Sequence, residues 1–207
     1  MGVLISGGGR TLMNLHQFSL GGTLPIRVVT VIASRVCKGI DKAKAAGLDV
    51  HLVPYSQIAD VAEYSRQISQ ILLGAGVELV IQAGFLSLWH IPPRLEGRVM
   101  NIHPALLPAF GGKGMFGHHV HEAVLASGCK VSGCTVHFVT NQYDEGPIII
   151  QRCVPVLEAD TADALADRVF EQECLAYPEA IGLFARGRLR IEGKRVRILP
   201  GSGPVKS

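Results

Sequence analysis

Charged and aromatic residues are scarce in this sequence. Asp, Glu, Lys and Arg make up 18% of the 207 residues, and Phe, Trp and Tyr make up 6%. Hydrophobic residues reach 48%, which excludes a chain that stays disordered because it cannot build a core. A chain of this length can bury one substantial core, so we expect a single compact α/β domain over residues 1–207.

The sequence also lacks a cysteine pattern. Its five cysteines are an odd number, and none of them form a C-x-x-C pair or the spacing of a structural zinc site. We expect most of them to be buried, reduced thiols. They are Cys37, Cys129, Cys134, Cys153 and Cys174.

Long apolar runs are missing as well. No stretch approaches the roughly 20 residues of a membrane-spanning helix. The N-terminus does not show the basic, apolar and small-residue order of a signal peptide. We therefore expect a cytoplasmic protein without a membrane partner.

The basic residues are scattered until the last segment, and the formal net charge is only +3. Six of them then cluster, at Arg186, Arg188, Arg190, Lys194, Arg195 and Arg197. Such a cluster can bind nucleic acid, but a solvated pair of terminal strands accounts for it as well. We expect the terminal strands and no nucleic-acid partner.

Short apolar runs alternate with longer amphipathic stretches, the pattern of strands and crossover helices in a parallel sheet. Strands are predicted at 2–6, 27–33, 51–53, 78–83, 98–104, 133–139 and 147–156. Helices are predicted at 11–20, 38–46, 60–73, 118–127 and 161–185. Pro178 should kink the last helix, and a small hairpin that turns at Glu192 and Gly193 should follow it. The predicted fold class is α/β, with a mostly parallel sheet flanked by helices.

The segment RVMNIHP, from Arg98 to Pro104, reads as a central strand that ends where proline removes a hydrogen-bond donor. Ligands bind outside the carboxyl ends of parallel strands. Asn101 and His103 are two residues apart, so their side chains share one face, while Ile102 points into the core. An amide and a protonated imidazole aimed at one point can stabilise a tetrahedral oxyanion. A pair of satisfied polar groups at a strand end is the alternative.

Asp144 lies in the loop TNQYDEG between the last two predicted strands before the long helix. Held by a constrained turn, its carboxylate should face the same strand end, raise the pKa of His103 and orient the imidazole. Asn101, His103 and Asp144 would then form an acyl-transfer trio without a nucleophilic Ser or Cys. A substrate amine would attack directly. A turn aspartate without a catalytic role is the alternative.

The turn SGGGRTL after the first strand brings backbone N–H groups to a helix N-terminus, where a phosphate is favoured. It is not a dinucleotide fingerprint, which would require glycine where Leu12 stands, and it is not a Walker loop. A phosphomonoester fits better than a dinucleotide. A tight structural turn is the alternative.

Four histidines raise the question of a metal site, at His118, His119, His121 and His137. Imidazoles two positions apart diverge on a helix, and no H-E-x-x-H occurs. We therefore expect no metal. Capping of the helix, or a place in the wall of the active site, is the expected role of the histidine-rich helix start.

Three longer segments carry a resemblance to a known family. NIHPALLPAF (101–110), GCTVHFV (133–139) and DEGPIIIQ (144–151), with SGGGRTL before them, closely resemble phosphoribosylglycinamide formyltransferases. The resemblance runs from Val3 to about Arg190. It implies a Rossmann-like formyltransferase fold, with 10-formyltetrahydrofolate as co-substrate and glycinamide ribonucleotide as acceptor, in de novo purine synthesis. The oligomeric state stays open between a monomer and a homodimer.

The resemblance also implies roles for individual residues. The trio matches the family's catalytic residues. The acceptor would be bound by Gly7, Gly8, Gly9, Arg10, Thr11, Gly84, Ile102, Pro104 and Glu173. The folate would be bound, mostly through backbone groups, by Leu86, Ser87, Leu88, Trp89, Val139, Thr140 and Asn141. Residues 1–100 would thus form the phosphate and acceptor half, and residues 101–207 the catalytic and folate-binding half.

At several positions this sequence differs from many members of the family it resembles. Arg10 and Thr11 stand where Ser-Asn is common, so the phosphate would gain an arginine contact and lose an amide. Ser87 replaces an arginine, and Trp89 is added, which changes side-chain contacts to the folate. The glycines of the loop 111–117 predict a mobile flap over the donor.

Three other functions stay open. Formyltetrahydrofolate deformylase uses water on a similar site but normally carries an N-terminal regulatory domain. Methionyl-tRNA formyltransferase has a C-terminal RNA-binding domain that 207 residues would not hold. A non-catalytic folate-binding or nucleotide-binding protein would keep the glycine turn without needing the trio.

Overall fold

The structure is a computed structural model that describes residues 1–22 and 24–201. Its strands are β1 (Gly2–Ile5), β2 (Thr30–Ala33), β3 (Val50–Leu52), β4 (Val80–Gln82), β5 (Val99–His103), β6 (Val131–Phe138), β7 (Ile148–Pro155), β8 (Leu189–Glu192) and β9 (Arg195–Ile198). Its helices are α1 (Arg10–Leu20), α2 (Lys38–Ala45), α3 (Val61–Gly74), α4 (His118–Ala126) and α5 (Ala162–Ala185). Two short 3-10 helices span Tyr55–Gln57 and Pro93–Leu95.

The strands form one sheet in the order β3-β2-β1-β4-β5-β6-β7-β9-β8. The first five strands in that order are parallel. The direction then reverses, because β6 pairs antiparallel with both β5 and β7. A mostly parallel sheet with flanking helices confirms the predicted fold class.

Two hydrophobic clusters cover the two faces of the sheet. Successive residues of a strand point to opposite faces. Val3 and Ile5 accordingly belong to the cluster that includes α1 and α5, and Leu4 belongs to the cluster that includes Ile68 and Leu72 of α3. The central strands are therefore buried on both sides, which leaves their carboxyl ends as the place where polar side chains can gather.

Every predicted strand and helix is present, and most ends agree within two residues. The exception is β2, which was predicted from Arg27 and begins at Thr30. Its start is set by its neighbour, since β1 begins at Gly2 and Gly2 pairs with Thr30. The expectation of mostly buried cysteines is wrong, because only Cys134 is buried and Cys153 is exposed.

The last helix and the terminal hairpin also follow the sequence pattern. The side chain of Thr161 caps α5 by accepting a hydrogen bond from the backbone N–H of Ala164, at 3.2 Å. The helix continues through Pro178, where the sequence predicts a kink. The hairpin of β8 and β9 extends the central sheet, because β9 pairs with β7 at Arg195 and Ile148.

No helix in the described parts of the chain is both long and apolar enough to cross a membrane.

Tyr177 fastens α5 to the strands that carry the site. Its buried hydroxyl lies 2.8 Å from the carbonyl oxygen of Met100 and 3.0 Å from that of Gln82. Tyr177→Phe should lower the free energy of unfolding by about 1–3 kcal/mol, because a buried carbonyl loses its donor. Denaturant unfolding measures this loss. Tyr64→Phe is the matched control: Tyr64 is equally buried, its hydroxyl donates to no backbone carbonyl among the described residues, and its removal should cost little.

Candidate active site

A cavity of about 350 Å³ opens at the carboxyl ends of β4 and β5. The predicted trio lines it together with all seven predicted folate residues. Six of the nine predicted acceptor residues also line it, namely Arg10, Thr11, Gly84, Ile102, Pro104 and Glu173. Gly7, Gly8 and Gly9 form the turn just before Arg10 and are not part of the cavity wall. The fold thus brings segments from four strand ends to one space.

Asn101 and His103 lie in the last three residues of β5, and their side chains share one face, because side chains alternate along a strand. The buried imidazole of His103 donates a hydrogen bond from Nε2 to the carbonyl oxygen of Phe110, at 2.8 Å. Its other ring nitrogen, Nδ1, lies 3.6 Å from Oδ2 of Asp144. Ile102, which lies between Asn101 and His103 in the sequence, packs in the core and also lines the cavity. The hydrogen bond to Phe110 therefore fixes the ring and leaves Nδ1 facing the carboxylate beyond hydrogen-bonding distance.

Asp144 is held by the loop that faces it. Its φ angle of 54° lies in the left-handed region, which Asp adopts more readily than most residues. Oδ2 accepts a hydrogen bond from the backbone N–H of Gly112, at 2.9 Å. Burial alone would raise the pKa of Asp144, but His137, His103 and this backbone N–H together hold it below its ordinary value. The carboxylate is therefore charged at neutral pH.

The expected rise in the pKa of His103 is wrong. Burial lowers the pKa, and it outweighs the raising effects of Asp144 and of the Phe110 carbonyl, while His137 lowers it further. The free protein therefore holds this imidazole neutral around pH 7. The sequence places a carboxylate beside the imidazole, but the burial of the ring depends on the tertiary fold.

This shift predicts how stability depends on pH. The unfolded chain binds more protons than the native state between the ordinary histidine pKa of about 6.5 and the lowered native value. The melting temperature should therefore fall as the pH drops below about 6.5, and His103→Gln should reduce that fall. His119→Gln is the control, because the His119 side chain is 66% exposed. Equal pH profiles for wild type and His103→Gln, measured by thermal unfolding, would contradict the assignment.

His137 is a site residue that the sequence reading missed. It is 1% exposed and lies directly opposite Asn101 in the β5–β6 ladder. Its Nε2 is 3.4 Å from Nδ2 of Asn101 and 3.7 Å from Oδ1 of Asp144. It therefore stands between two members of the trio. The segment GCTVHFV predicts a strand, but only its antiparallel register shows that its histidine faces the cavity.

The glycine turn has the features of an anion site. Gly9 caps α1 with a φ of 71° and without a side-chain hydrogen bond, and the first turn holds no acidic residue. A Cβ on Gly9 would lie 2.9 Å from the Cα of Gly39, so the turn packs backbone to backbone against the start of α2. The first N–H groups of a helix have no partner within the helix, so this helix start favours a phosphate.

Arg10 is the first residue of α1, but its side chain points towards α5. Its guanidinium sits 3.9 Å from the centre of the Phe170 ring and 3.3 Å from Oδ1 of Asp167. On the same wall, burial raises the pKa of Glu173 to about 7, and the charge of Arg10 opposes the rise. The predicted acceptor residues from both ends of the chain thus meet across one side of the cavity. Phe170 was not foreseen there.

Two hydrogen bonds hold the predicted folate-binding segments in place. Trp89 is buried, and its indole N–H donates to Oγ of Ser69 in α3, at 3.2 Å. The side-chain oxygen of Asn141 accepts a hydrogen bond from the backbone N–H of Ile91, at 3.0 Å. The two predicted folate segments are therefore tied to each other as well as to the fold. Leu86, Ser87 and Leu88 also line the cavity.

The glycine-rich loop 111–117 covers one side of the cavity with Met115 and Phe116. His121, in the first turn of α4, is buried and also lines the cavity. A wall position is one of the two roles predicted for this helix start. Among the described residues, no group of three or more His, Cys, Asp or Glu side chains is arranged to hold a metal ion.

Fold and site together define an α/β protein whose polar groups converge in a cavity beside a glycine turn at a helix start. A family profile described as formyl transferase matches residues 1–181. The chain is 38% identical over 196 residues to the chloroplastic phosphoribosylglycinamide formyltransferase of Arabidopsis thaliana, which covers 92% of this chain and 66% of that protein. This chain therefore belongs to the formyl transferase family, and the resemblance predicted from its sequence is confirmed.

Solved structures agree with that assignment. Glycinamide ribonucleotide transformylase 1 from Symbiobacterium toebii matches with a TM-score of 0.89 at 44% identity, over 96% of this chain and 93% of that one. A formyltetrahydrofolate deformylase from Burkholderia mallei matches with a TM-score of 0.80 at 27% identity, over 96% of this chain and 69% of that one. The chain spans slightly less than two thirds of the length of the Arabidopsis relative.

Proposed function

We propose that this chain transfers the formyl group of 10-formyltetrahydrofolate to the amine of glycinamide ribonucleotide. The products are formylglycinamide ribonucleotide and tetrahydrofolate, in purine biosynthesis. The names of the relatives support this reaction. The observation that carries the proposal is the convergence of Asn101, His103 and Asp144 in a cavity with an anion-binding turn at one side and a largely apolar wall at the other.

The acceptor would bind with its phosphate at the start of α1, reached by Arg10 and Thr11. Its ribose would face Glu173, and its amine would lie near Gly84 and Pro104. The folate would lie along the wall of Leu86, Ser87, Leu88 and Trp89 and the segment of Val139, Thr140 and Asn141. Apolar side chains suit a flat heteroaromatic ring, and the backbone groups of a fixed loop suit its polar edge.

The reaction would then proceed by direct attack. The amine nitrogen of the acceptor forms a bond to the formyl carbon, and the carbonyl oxygen becomes an oxyanion near Asn101 and His103. The amide of Asn101 donates a hydrogen bond to it, and the His103 imidazole, by taking up the proton that the attacking nitrogen loses, becomes a cation that also stabilises it. The bond from the formyl carbon to the folate nitrogen breaks, and the proton lost by the amine passes to that nitrogen with help from Asp144.

An assay of folate products separates this function from its rivals. Tetrahydrofolate should appear from 10-formyltetrahydrofolate only when glycinamide ribonucleotide is present, with one formylated acceptor for each folate released. Equal release of formate without the acceptor would instead identify a deformylase. Folate binding without either product would leave a binding protein and overturn the proposal.

A further inference from the structure

Ser6 closes β1 immediately before the glycine turn, and its backbone is bonded to both neighbouring strand ends. Its N–H donates to the carbonyl oxygen of Gly84, after β4, at 3.0 Å. Its carbonyl oxygen accepts a hydrogen bond from Nε of Arg35, after β2, at 2.6 Å. Three adjacent strand ends are therefore joined at this one residue.

The hydroxyl of Ser6 adds a second set of links. Oγ accepts a hydrogen bond from the backbone N–H of Leu86, at 2.9 Å, and lies 2.6 Å from Oγ of Ser34. Both serines are buried, with exposures of 1% and 3%. Water therefore cannot replace either bond if the hydroxyl is lost, and the cost of an unpaired buried group would fall on the Leu86 segment.

These links join the two sides of the cavity. Ser6 is followed directly by Gly7, the first residue of the turn at which the acceptor's phosphate would bind. Leu86 begins the segment against which the folate would lie. The bond between Leu86 N and Ser6 Oγ therefore fixes how far the donor wall stands from the acceptor turn.

We propose that Ser6 is a positioning residue that holds the acceptor turn and the Leu86 segment in the places where each binds its substrate and where amine and formyl carbon meet. The inference rests on the proposed function, since it needs two substrates in one cavity. Ser6 touches neither substrate in this account, because its side chain is not part of the cavity wall. Its effect would come through the backbone of Leu86, and small errors in placing two reactants have large effects on rate.

The test is Ser6→Ala, studied by steady-state kinetics and by folate binding. The KM for glycinamide ribonucleotide and the dissociation constant for tetrahydrofolate should both rise, with kcat/KM about tenfold lower for each substrate, the change expected for one buried hydrogen bond. Trp89 is the single tryptophan and lines the cavity, so its fluorescence reports folate binding without turnover. A purely structural role would lower the melting temperature and leave both constants unchanged, which would overturn the proposal.

Ser132→Ala is the matched control. Ser132 is also buried, at 2% exposure, but its hydroxyl has no hydrogen-bond partner among the described residues, and it does not line the cavity. It should leave both constants at their wild-type values. An effect of Ser6→Ala on one substrate alone, or an equal effect in Ser132→Ala, would contradict a role that joins the two subsites.

Ser34→Ala provides a second variant in case Ser6→Ala does not fold. It removes the bond between the hydroxyls but keeps the bond from Leu86 to Ser6. A smaller rise in both constants supports the proposal, and unchanged constants for both substrates count against it. If the wild-type protein forms no formylated acceptor, the proposed function is refuted. If the wild type is active and Ser6→Ala leaves both constants unchanged, only this inference is refuted.

Discussion

Replacing Asn101 by Ala should reduce kcat by about 100- to 1,000-fold, because one oxyanion donor contributes about 3 kcal/mol to lowering the barrier. The melting temperature should change little. Within residues 1–22 and 24–201, the one side-chain hydrogen bond of this amide is the long one of 3.4 Å to His137. Initial rates at saturating substrates, together with thermal unfolding, measure the two effects separately.

Asn14→Ala is the control for the loss of an amide elsewhere. Nδ2 of Asn14 donates to the carbonyl oxygen of Cys174, at 3.1 Å, and so ties α1 to α5 outside the cavity. This variant should lose stability and keep most of its kcat. A kcat for Asn101→Ala within a few-fold of wild type would remove the amide from the proposed chemistry.

Replacing Asp144 by Asn should lower kcat by about 100-fold or more, the usual contribution of a proton-transfer group. The substitution keeps the shape of the side chain and an oxygen that can accept the hydrogen bond from Gly112. Asn also tolerates the positive φ angle at this position. The loss would therefore come from the missing charge beside His103, and circular dichroism should show an unchanged fold.

Asp160→Asn is the matching carboxylate control. Its hydrogen bonds with Arg168 hold the pKa of Asp160 at about 2, and the pair lies at the start of α5, away from the cavity. Its loss should reduce stability without reducing kcat. If Asp144→Asn behaved in the same way, Asp144 would be a structural residue of its turn.

The position of the site followed from local patterns. Asn101 and His103 could be placed together because the side chains of a strand alternate, and the strand end was marked by Pro104. Asp144 was placed beside them because the turn it forms with Glu145, Gly146 and Pro147 is constrained and can hold a carboxylate towards the strand end. These inferences needed only a strand, its end and a local turn, which a sequence supplies.

The parts that depend on distant pairing could not be predicted in the same way. His137 faces Asn101 because β6 pairs antiparallel with β5 in one particular register, and a shift of one residue would turn it to the other face. The lowered pKa of His103 depends on how deeply the ring is buried. The side chain of Arg10 was read from its neighbours in sequence, whereas its partners, Asp167 and Phe170, come from the far end of the chain.

The direct pairing of Asn101 with His137 has a consequence for how this site can vary. The two residues are neighbours across one rung of the sheet, so their distance is set by backbone hydrogen bonds and not by the chain that connects them. That connection includes the whole of α4 and the residues from Lys113 to Gly117. Insertions or deletions there can reshape the entrance and change which molecules enter, while the polar groups on the floor keep their spacing.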